Sequence, residues 1–184
     1  DGSAVFGMSI VKSTNLATPW YVQHRSLGGT DYLKLNEASA TAAFTGVWND
    51  TSATTTTLTL GNNASGNGNA DQYISYNFAH NPAKGIFCGS YTGTALDGNK
   101  VVTGFPVGWV MIKRSDGASS WVVIDNLRGG KNKLYPNDSL AEGLVAGSGI
   151  TFLTDGFEVS TSFGEANTNG VNYIYMAIAD PSLF

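Results

Sequence analysis

Gly108-Trp109-Val110-Met111-Ile112-Lys113, Trp121-Val122-Val123-Ile124-Asp125 and Tyr173-Ile174-Tyr175-Met176-Ala177-Ile178-Ala179 decide the fold class of this chain. Each is a short apolar run bounded by turn residues. Periodicity alone does not separate a buried strand from a buried helix, but shortness and β-branched and aromatic content favour strands. Asp116-Gly117, between the first two runs, reads as a hairpin turn. The composition around these runs points the same way. Of 184 residues 23 are Gly, and Thr, Ser and Asn are abundant, while charged residues make up 13% and aromatics 11%. Helical bundles and coiled coils run on Ala, Glu, Lys, Leu and Arg, and of these Glu, Lys and Arg are scarce here. Disordered chains have few aromatics and high net charge, whereas this chain has 8 Tyr, 9 Phe, 4 Trp and a net charge of −4. The expectation is an all-β protein of roughly twelve short strands arranged as a β-sandwich.

Working outward, the first runs recur. At an offset of 101, Gly7, Lys12, Trp20, Val22, Gly28, Gly29, Leu33, Asn36 and Ala40 match Gly108, Lys113, Trp121, Val123, Gly129, Gly130, Leu134, Asn137 and Ala141. At an offset of 100, Asn67, Asn69, Tyr73, Ile74 and Ala79 match Asn167, Asn169, Tyr173, Ile174 and Ala179. A fixed-period match of this kind is sought first because it governs the fold. It divides a single domain, residues 1–184, into a first repeat of about 75 residues at 7–82, connecting strands at 83–107, and a second repeat at 108–181. In the connection, Gly85–Tyr91 and Lys100–Phe105 read as two strands around an Asp97-Gly98 turn. Two copies with few charges are expected to pack face to face about an approximate two-fold. Asp138–Gly143 reads as one helical turn capped by Asp138 or Ser139.

Other classes are set aside by the bulk numbers. No stretch approaches 18 consecutive apolar residues, so no membrane insertion is expected. The start, Asp1-Gly2-Ser3-Ala4-Val5, has no basic or apolar leader region and no initiator Met, so the chain reads as processed, truncated or part of a longer polypeptide. The first repeat also lacks a strand pair ahead of it, which points the same way. Cys88 is the one cysteine and cannot form an internal disulfide. The acidic balance and thinly spread Lys and Arg argue against nucleic acid.

The candidate sites are few. Trp20 and Trp121 read as anchors of the core, with sugar stacking as the functional alternative. Gly28, Gly29, Gly129 and Gly130 read as turn positions, and Tyr73 and Tyr173 as parts of a central strand. Trp48, in Gly46-Val47-Trp48-Asn49, has no match and is the candidate for an exposed binding aromatic. Asn67, Asn69 and Asp71 place side-chain oxygens at alternate positions, as Asn167 and Asn169 do in the second repeat. Such oxygens can converge on a hard cation, which makes calcium the one cofactor worth considering. The segment lacks the terminal bidentate Glu of a calcium-binding loop, and these are also ordinary turn residues. No metal site and no cofactor are expected. Lys12 and Lys113, and Arg114 and Arg128 of the second repeat alone, suggest ion pairs with Asp125 or Asp155.

Catalysis has little support. His24 and His80 face Asp125 and Asp180 across the match, so neither is duplicated. There is no Gly-x-Ser-x-Gly elbow and no His-Glu-x-x-His. A glycosidase needs two carboxylates across a cleft, and Glu37, Glu142, Glu158 and Glu165 form no alternating pair on a strand. The chain is expected not to be an enzyme. A sandwich-fold glucanase using Glu142 or Glu158 is the catalytic alternative.

One resemblance adds to this reading. Gly89-Ser90-Tyr91-Thr92-Gly93, Thr103-Gly104-Phe105 and Trp109-Val110-Met111-Ile112-Lys113-Arg114 resemble a repeat in structural proteins of tailed bacteriophages, marine and cyanobacterial ones especially. The similarity continues through Trp121, Asp125, Arg128-Gly129, Leu134-Tyr135-Pro136-Asn137, Phe152–Phe157 and Tyr173–Ala177, and covers residues 85–181. The first repeat fits more loosely, and has Leu27-Gly28 where the second has Arg128-Gly129. The resemblance implies a concanavalin-like or jelly-roll sandwich in a tail fibre or lectin-like virion protein. It implies a location on the virion exterior, after synthesis in the cytoplasm of a bacterial host. It further implies a homo-oligomer that contacts other virion proteins and, as a lectin-like module, a host-surface glycan. A capsid (head) decoration protein and a carbohydrate-binding module are the alternatives. It carries no catalytic residues to this chain.

Overall fold

Strands buried on one face alternate apolar and polar residues, and strands buried on both faces do not. Both kinds occur here. A computed structural model of the protein describes residues 4–183. Asp1, Gly2 and Ser3, read above for a leader, and Phe184 lie outside the described residues.

The protein is an all-β sandwich. Strands β1 (Val5–Ser13), β2 (Tyr21–His24), β3 (Asp31–Lys34), β4 (Ala42–Ala43) and β5 (Tyr73–His80) form sheet one, in the order β4-β3-β2-β1-β5. Strands β6 (Ile86–Thr92), β8 (Val107–Arg114), β9 (Val122–Asp125) and β14 (Asn172–Ala179) form sheet two, in the order β6-β14-β8-β9. A third sheet orders β12 (Ile150–Leu153), β13 (Gly156–Val159) and β7 (Asn99–Val102). The strands β10 (Asn132–Lys133) and β11 (Gly143–Leu144) form a two-stranded ribbon. Three four-residue helical turns, α1 (Thr45–Trp48), α2 (Ala64–Asn67) and α3 (Gly164–Asn167), pack against the sheets.

Sheet two is the middle layer. Its Met111, Val123, Ile174 and Met176 meet Met8, Ile10, Val22 and Leu33 of sheet one across one core. On its opposite face, Val110, Ile112, Ile124 and Tyr175 pack with Val101, Phe157 and Val159 of the third sheet. That double burial is why β8 and β14 read as unbroken apolar runs. The outer face of sheet one is covered by α1 and the segment after it, through Val11, Tyr21, Val47 and Trp48.

The sequence match falls on equivalent places in the two sheets. Met8 pairs with His24 and Val11 with Tyr21; Trp109 pairs with Asp125 and Ile112 with Val122. Lys12 pairs with Ile74, and Lys113 with Ile174. The matched glycines Gly7 and Gly108 both lie where the register slips and the strand bulges. A Cβ on Gly7 would stand 2.7 Å from the His80 nitrogen, and one on Gly108 would stand 2.8 Å from the Asp180 Cα. Gly29 and Gly130 press against the backbone of Ser52 and Ile150, and Gly129 takes φ +90° in the turn beside it. Gly28 donates its N–H to Asp31 at 3.0 Å. The Trp20 N–H donates to Asn36 Oδ1 at 2.9 Å, and the Trp121 N–H to Asn137 Oδ1 at 2.7 Å.

Three expectations change. The strands on either side of Asp97-Gly98 turn toward different sheets, β6 onto β14 and β7 onto β13, so they are not a hairpin. The segment Asp138–Gly143 is not helical; Asp138 Oδ1 accepts the Leu140 N–H at 3.2 Å, which closes a side-chain turn instead. Lys12 and Lys113 form no carboxylate pairs among the described residues. Lys12 Nζ donates to the Ser13 and Leu16 carbonyls, and Lys113 Nζ to those of Arg114 and Ala38. The expected pair does form at Arg128, whose guanidinium lies 2.6 Å from the Asp125 carboxylate, whereas Arg114 pairs with Asp116 and Asp155 is held by Lys100.

Candidate functional site

The expected exposed aromatic is not exposed. Trp48 is 0% accessible, packed with Val11, Tyr21 and Val47 under the outer face of sheet one. It is drawn in because the Gly61 N–H donates to the Val47 carbonyl at 2.8 Å, closing the following loop over α1. Gly61 lies so close to the Gly46 carbonyl that no side chain fits between them. A buried indole contributes to the core and presents no stacking face.

Asn67 and Asp71 bond the chain's own atoms, and Asn69 makes no side-chain hydrogen bond among the described residues. Asn63 caps α2 by accepting the Ser65 N–H at 2.8 Å, Asn67 Nδ2 donates to the Gly61 carbonyl at 2.8 Å, and Asp71 accepts from Asn15 at 3.2 Å. No three His, Cys, Asp or Glu side chains among the described residues could hold a metal ion. The matched Asn167 is fully buried. It accepts from the Thr94 N–H at 2.9 Å and from Asn99 Nδ2 at 2.8 Å, and donates to the Leu96, Val159 and Ser160 carbonyls. The matched tyrosines also fasten these turns. The Gly68 N–H donates to the Tyr73 hydroxyl at 2.8 Å, and the Thr168 N–H to the Tyr173 hydroxyl at 3.0 Å. Trp121 is buried, whereas Trp20 is half-buried and stacks on Tyr76 with ring centroids 6.4 Å apart.

A cleft lies between sheet one and the Thr-rich segment 51–59. It encloses about 440 Å³ and is lined by Phe6, Gln23, Arg25, Leu27, Thr54 and Thr55, among others. Gln23 is 2% accessible; its Nε2 donates to the Thr51 carbonyl at 3.0 Å, and its Oε1 is buried without a protein partner. A buried unpartnered carbonyl costs roughly 1–3 kcal/mol, so a polar group here calls for an explanation. Arg25 is exposed and forms no ion pair among the described residues. One sequence signal could have found this site. Gln23 stands where the second half has Ile124, which is buried in the core under the third sheet.

Burial moves several titratable groups away from their ordinary values. Burial lowers His24 to about 4, partly opposed by its bond to the Tyr175 carbonyl. Burial pushes the Cys88 thiol up to about 12, which leaves it a packing group with no useful thiolate fraction. Burial also lowers Lys113 to about 8, the neighbouring Arg114 adding to the effect. Of the two carboxylates weighed for catalysis, Glu142 pairs with Arg128 at 2.9 Å, while Glu158 stands in β13 between Thr151 and Lys100 and forms no ion pair among the described residues. Among the described residues no helix is long and apolar enough to cross a membrane.

The edges of the two sheets differ. In sheet two, β6 pairs with β14 from Asn172–Thr92 to Ile178–Ile86. In sheet one, the matched β5 pairs with β1 and has no strand on its other side among the described residues.

Comparison with known proteins gives one match. No curated protein and no solved structure matches the chain. The profile of one family, described as a domain of unknown function (DUF7483), matches residues 3–181. With nearly the whole chain inside that match, this protein belongs to the DUF7483 family.

Proposed function

We propose that the chain is a non-enzymatic structural module of a tailed-bacteriophage virion, part of a tail fibre or other tail appendage used in host attachment. The reading rests on where the resemblance falls. Its residues are frame positions: Trp121 in the core, Asp125 and Arg128 paired at 2.6 Å, and Tyr173 fastening α3. Side chains spent on holding a sheet together suit a part that must stay rigid in an assembly. Copies of the chain and other virion proteins would be its partners, on the virion exterior. The test is mass spectrometry of purified virions with the copy number counted. Multiples of three or six place it in a tail structure, and a count on the order of hundreds makes it a head decoration, as symmetric assembly requires. Absence from the virion ends the proposal.

A second reading, a lectin-like module, draws on the cleft at Gln23. Carbonyl, hydroxyl and guanidinium groups beside Phe6 offer the hydrogen-bonding and apolar contacts that a saccharide uses. A glycan array with the wild type and Arg25→Ala tests it. Binding that the substitution abolishes supports the reading, and no binding by the wild type removes it.

A further inference from the structure

We infer that the cleft at Gln23 takes an acidic saccharide, with a sugar hydroxyl on the Gln23 carbonyl and a carboxylate on the Arg25 guanidinium. The inference rests on the lectin-like reading above and names the ligand class of that same site.

The first observation is a row of residues across the floor of sheet one. Gln23 pairs with Ser9, and Ser9 with Asn77, so the three lie side by side on the outer face of β2, β1 and β5. The matched row in sheet two is Ile124, Val110 and Ala177, paired in the same way. Those three are at most 1% accessible and belong to the apolar core under the third sheet. The same three positions are thus apolar in one half and polar in the other. The facing segments differ in the same sense. Ser52, Thr54 and Thr55 wall the cleft in the first half, whereas Phe157 and Val159 meet the apolar row in the second. An apolar cover of the second kind would leave the polar row without partners, so the floor suits an occupant that brings hydrogen-bonding groups of its own.

The second observation is which atom of the row is left to bond. Asn77 Oδ1 accepts the Ser9 hydroxyl at 2.7 Å and the Ser75 hydroxyl at 2.9 Å. Gln23 Nε2 faces the Thr51 carbonyl at 3.0 Å, which fixes the orientation of the amide, because two oxygens would repel there. Gln23 Oε1 is then the acceptor without a protein partner, on a side chain only 2% accessible that lines the cleft. It takes a donor and nothing else. A simple anion has no proton to give it. A hydroxyl has one, and a sugar carries several.

The third observation adds the charge. Arg25 lies two residues beyond Gln23, about 7 Å along the chain in extended backbone, and lines the same cleft. Its N–H donates to the Gly7 carbonyl at 2.9 Å, which anchors its backbone to β1. A guanidinium repels an ammonium ligand and receives a carboxylate through two parallel N–H bonds. The matched residue in the second half is Asn126, whose amide donates to Asp180, so the cation belongs to the polar half alone. A hydroxyl donor and a carboxylate a few ångströms apart are what a uronic-acid type of sugar presents. The enclosed 440 Å³ falls in the usual range for ligand pockets, roughly 300–1,000 Å³, and Phe6 offers an apolar wall to the C–H face of a ring.

The experiment is a glycan array carrying uronic-acid oligosaccharides and the same oligosaccharides with their carboxylates reduced to alcohols. It is read with the wild type, Arg25→Ala, Gln23→Ile and, as an exposed control, Leu127→Ala. The wild type should bind acidic members at least about tenfold more tightly than their reduced forms, as the loss of a charge-assisted pair predicts. Arg25→Ala should lose that preference, Gln23→Ile should weaken binding of both sets about tenfold, and the control should bind as wild type. Added salt should weaken the acidic set alone. Arg25 is exposed, so its variant keeps the test decisive if Gln23→Ile disturbs the contact with Thr51. Equal binding of the two sets, or acidic binding indifferent to either substitution, overturns the inference and leaves a saccharide site standing. No binding to any glycan removes both. A crystal structure grown with the acidic ligand, in which Gln23 Oε1 meets only water or another stretch of polypeptide fills the cleft, overturns the inference as well.

Discussion

Sheet one and sheet two share a strand frame but bury it to different degrees. Both halves repeat the bulge at the matched glycine, the bond from asparagine to the tryptophan N–H, and the tyrosine that fastens a helical turn. Sheet two is then covered on both faces and paired along β14, whereas sheet one has a polar-lined cleft over one face and an open edge at β5. The lesson is that two similar frames need not be buried alike. One half buries its frame on both faces, and the other leaves part of the same frame exposed among the described residues.

The contrast can be broken most directly at the matched tryptophans. Trp121→Ala should cost about 3–5 kcal/mol as a large core truncation, and Trp48→Ala should fall in the same range. Trp20→Ala should cost clearly less, because its side chain is only half-buried. Urea denaturation measures all three, and equal losses at Trp20 and Trp121 would mean that the halves are packed alike.

The pH dependence singles out His24. Its folded pKa of about 4 lies below the ordinary 6.5, so its contribution to stability is fully present above pH 6.5. As the pH falls, the unfolded chain takes up the proton first. The contribution shrinks and is lost once the pH reaches about 4, a change of about 3 kcal/mol for a shift of this size. The urea midpoint should drop between pH 7 and pH 4, and the drop should be smaller in His24→Gln. Identical profiles would show that the histidine is not buried neutral.

Asn167→Ala should cost about 2–3 kcal/mol, because it leaves buried donors and acceptors unpaired, while Asn67→Ala should cost under about 1 kcal/mol. Similar values would erase the difference between the two turns. The smallest change is expected at the cleft. Gln23→Ile installs the residue of the second half and removes an unpartnered carbonyl, but it also strands the Thr51 oxygen. The net effect should stay within about 1 kcal/mol. A loss well beyond that would mean that Gln23 holds the Thr-rich segment in place.

Much of the frame was legible because it depends on local pattern. The runs at Trp109, Trp121 and Tyr173 announced strands, and their unbroken apolar character suited the doubly covered sheet that they form. The pairing of β6 and β7 was not legible. Asp97-Gly98 is a local turn signal, but each strand takes its partner from a different sheet. The helical turns at Thr45, Ala64 and Gly164 are too short for any periodicity to register. Trp48 was misread for a related reason. Its polar neighbours Asn49 and Asp50 suggest exposure, and its burial follows from a loop contact at Gly61, thirteen positions along the chain.

By itself the sequence determined the class, the strands, the matched positions and the low charge, since these follow from side-chain pattern and composition. Only the tertiary structure decided which sheet lies in the middle, that Gln23 is buried with an unpartnered oxygen, and that Ile74 and Tyr76 are exposed where Ile174 and Met176 are buried. Those properties belong to the stacking of layers. Burial at a position is set by what other segments bring over it, and no local pattern records that.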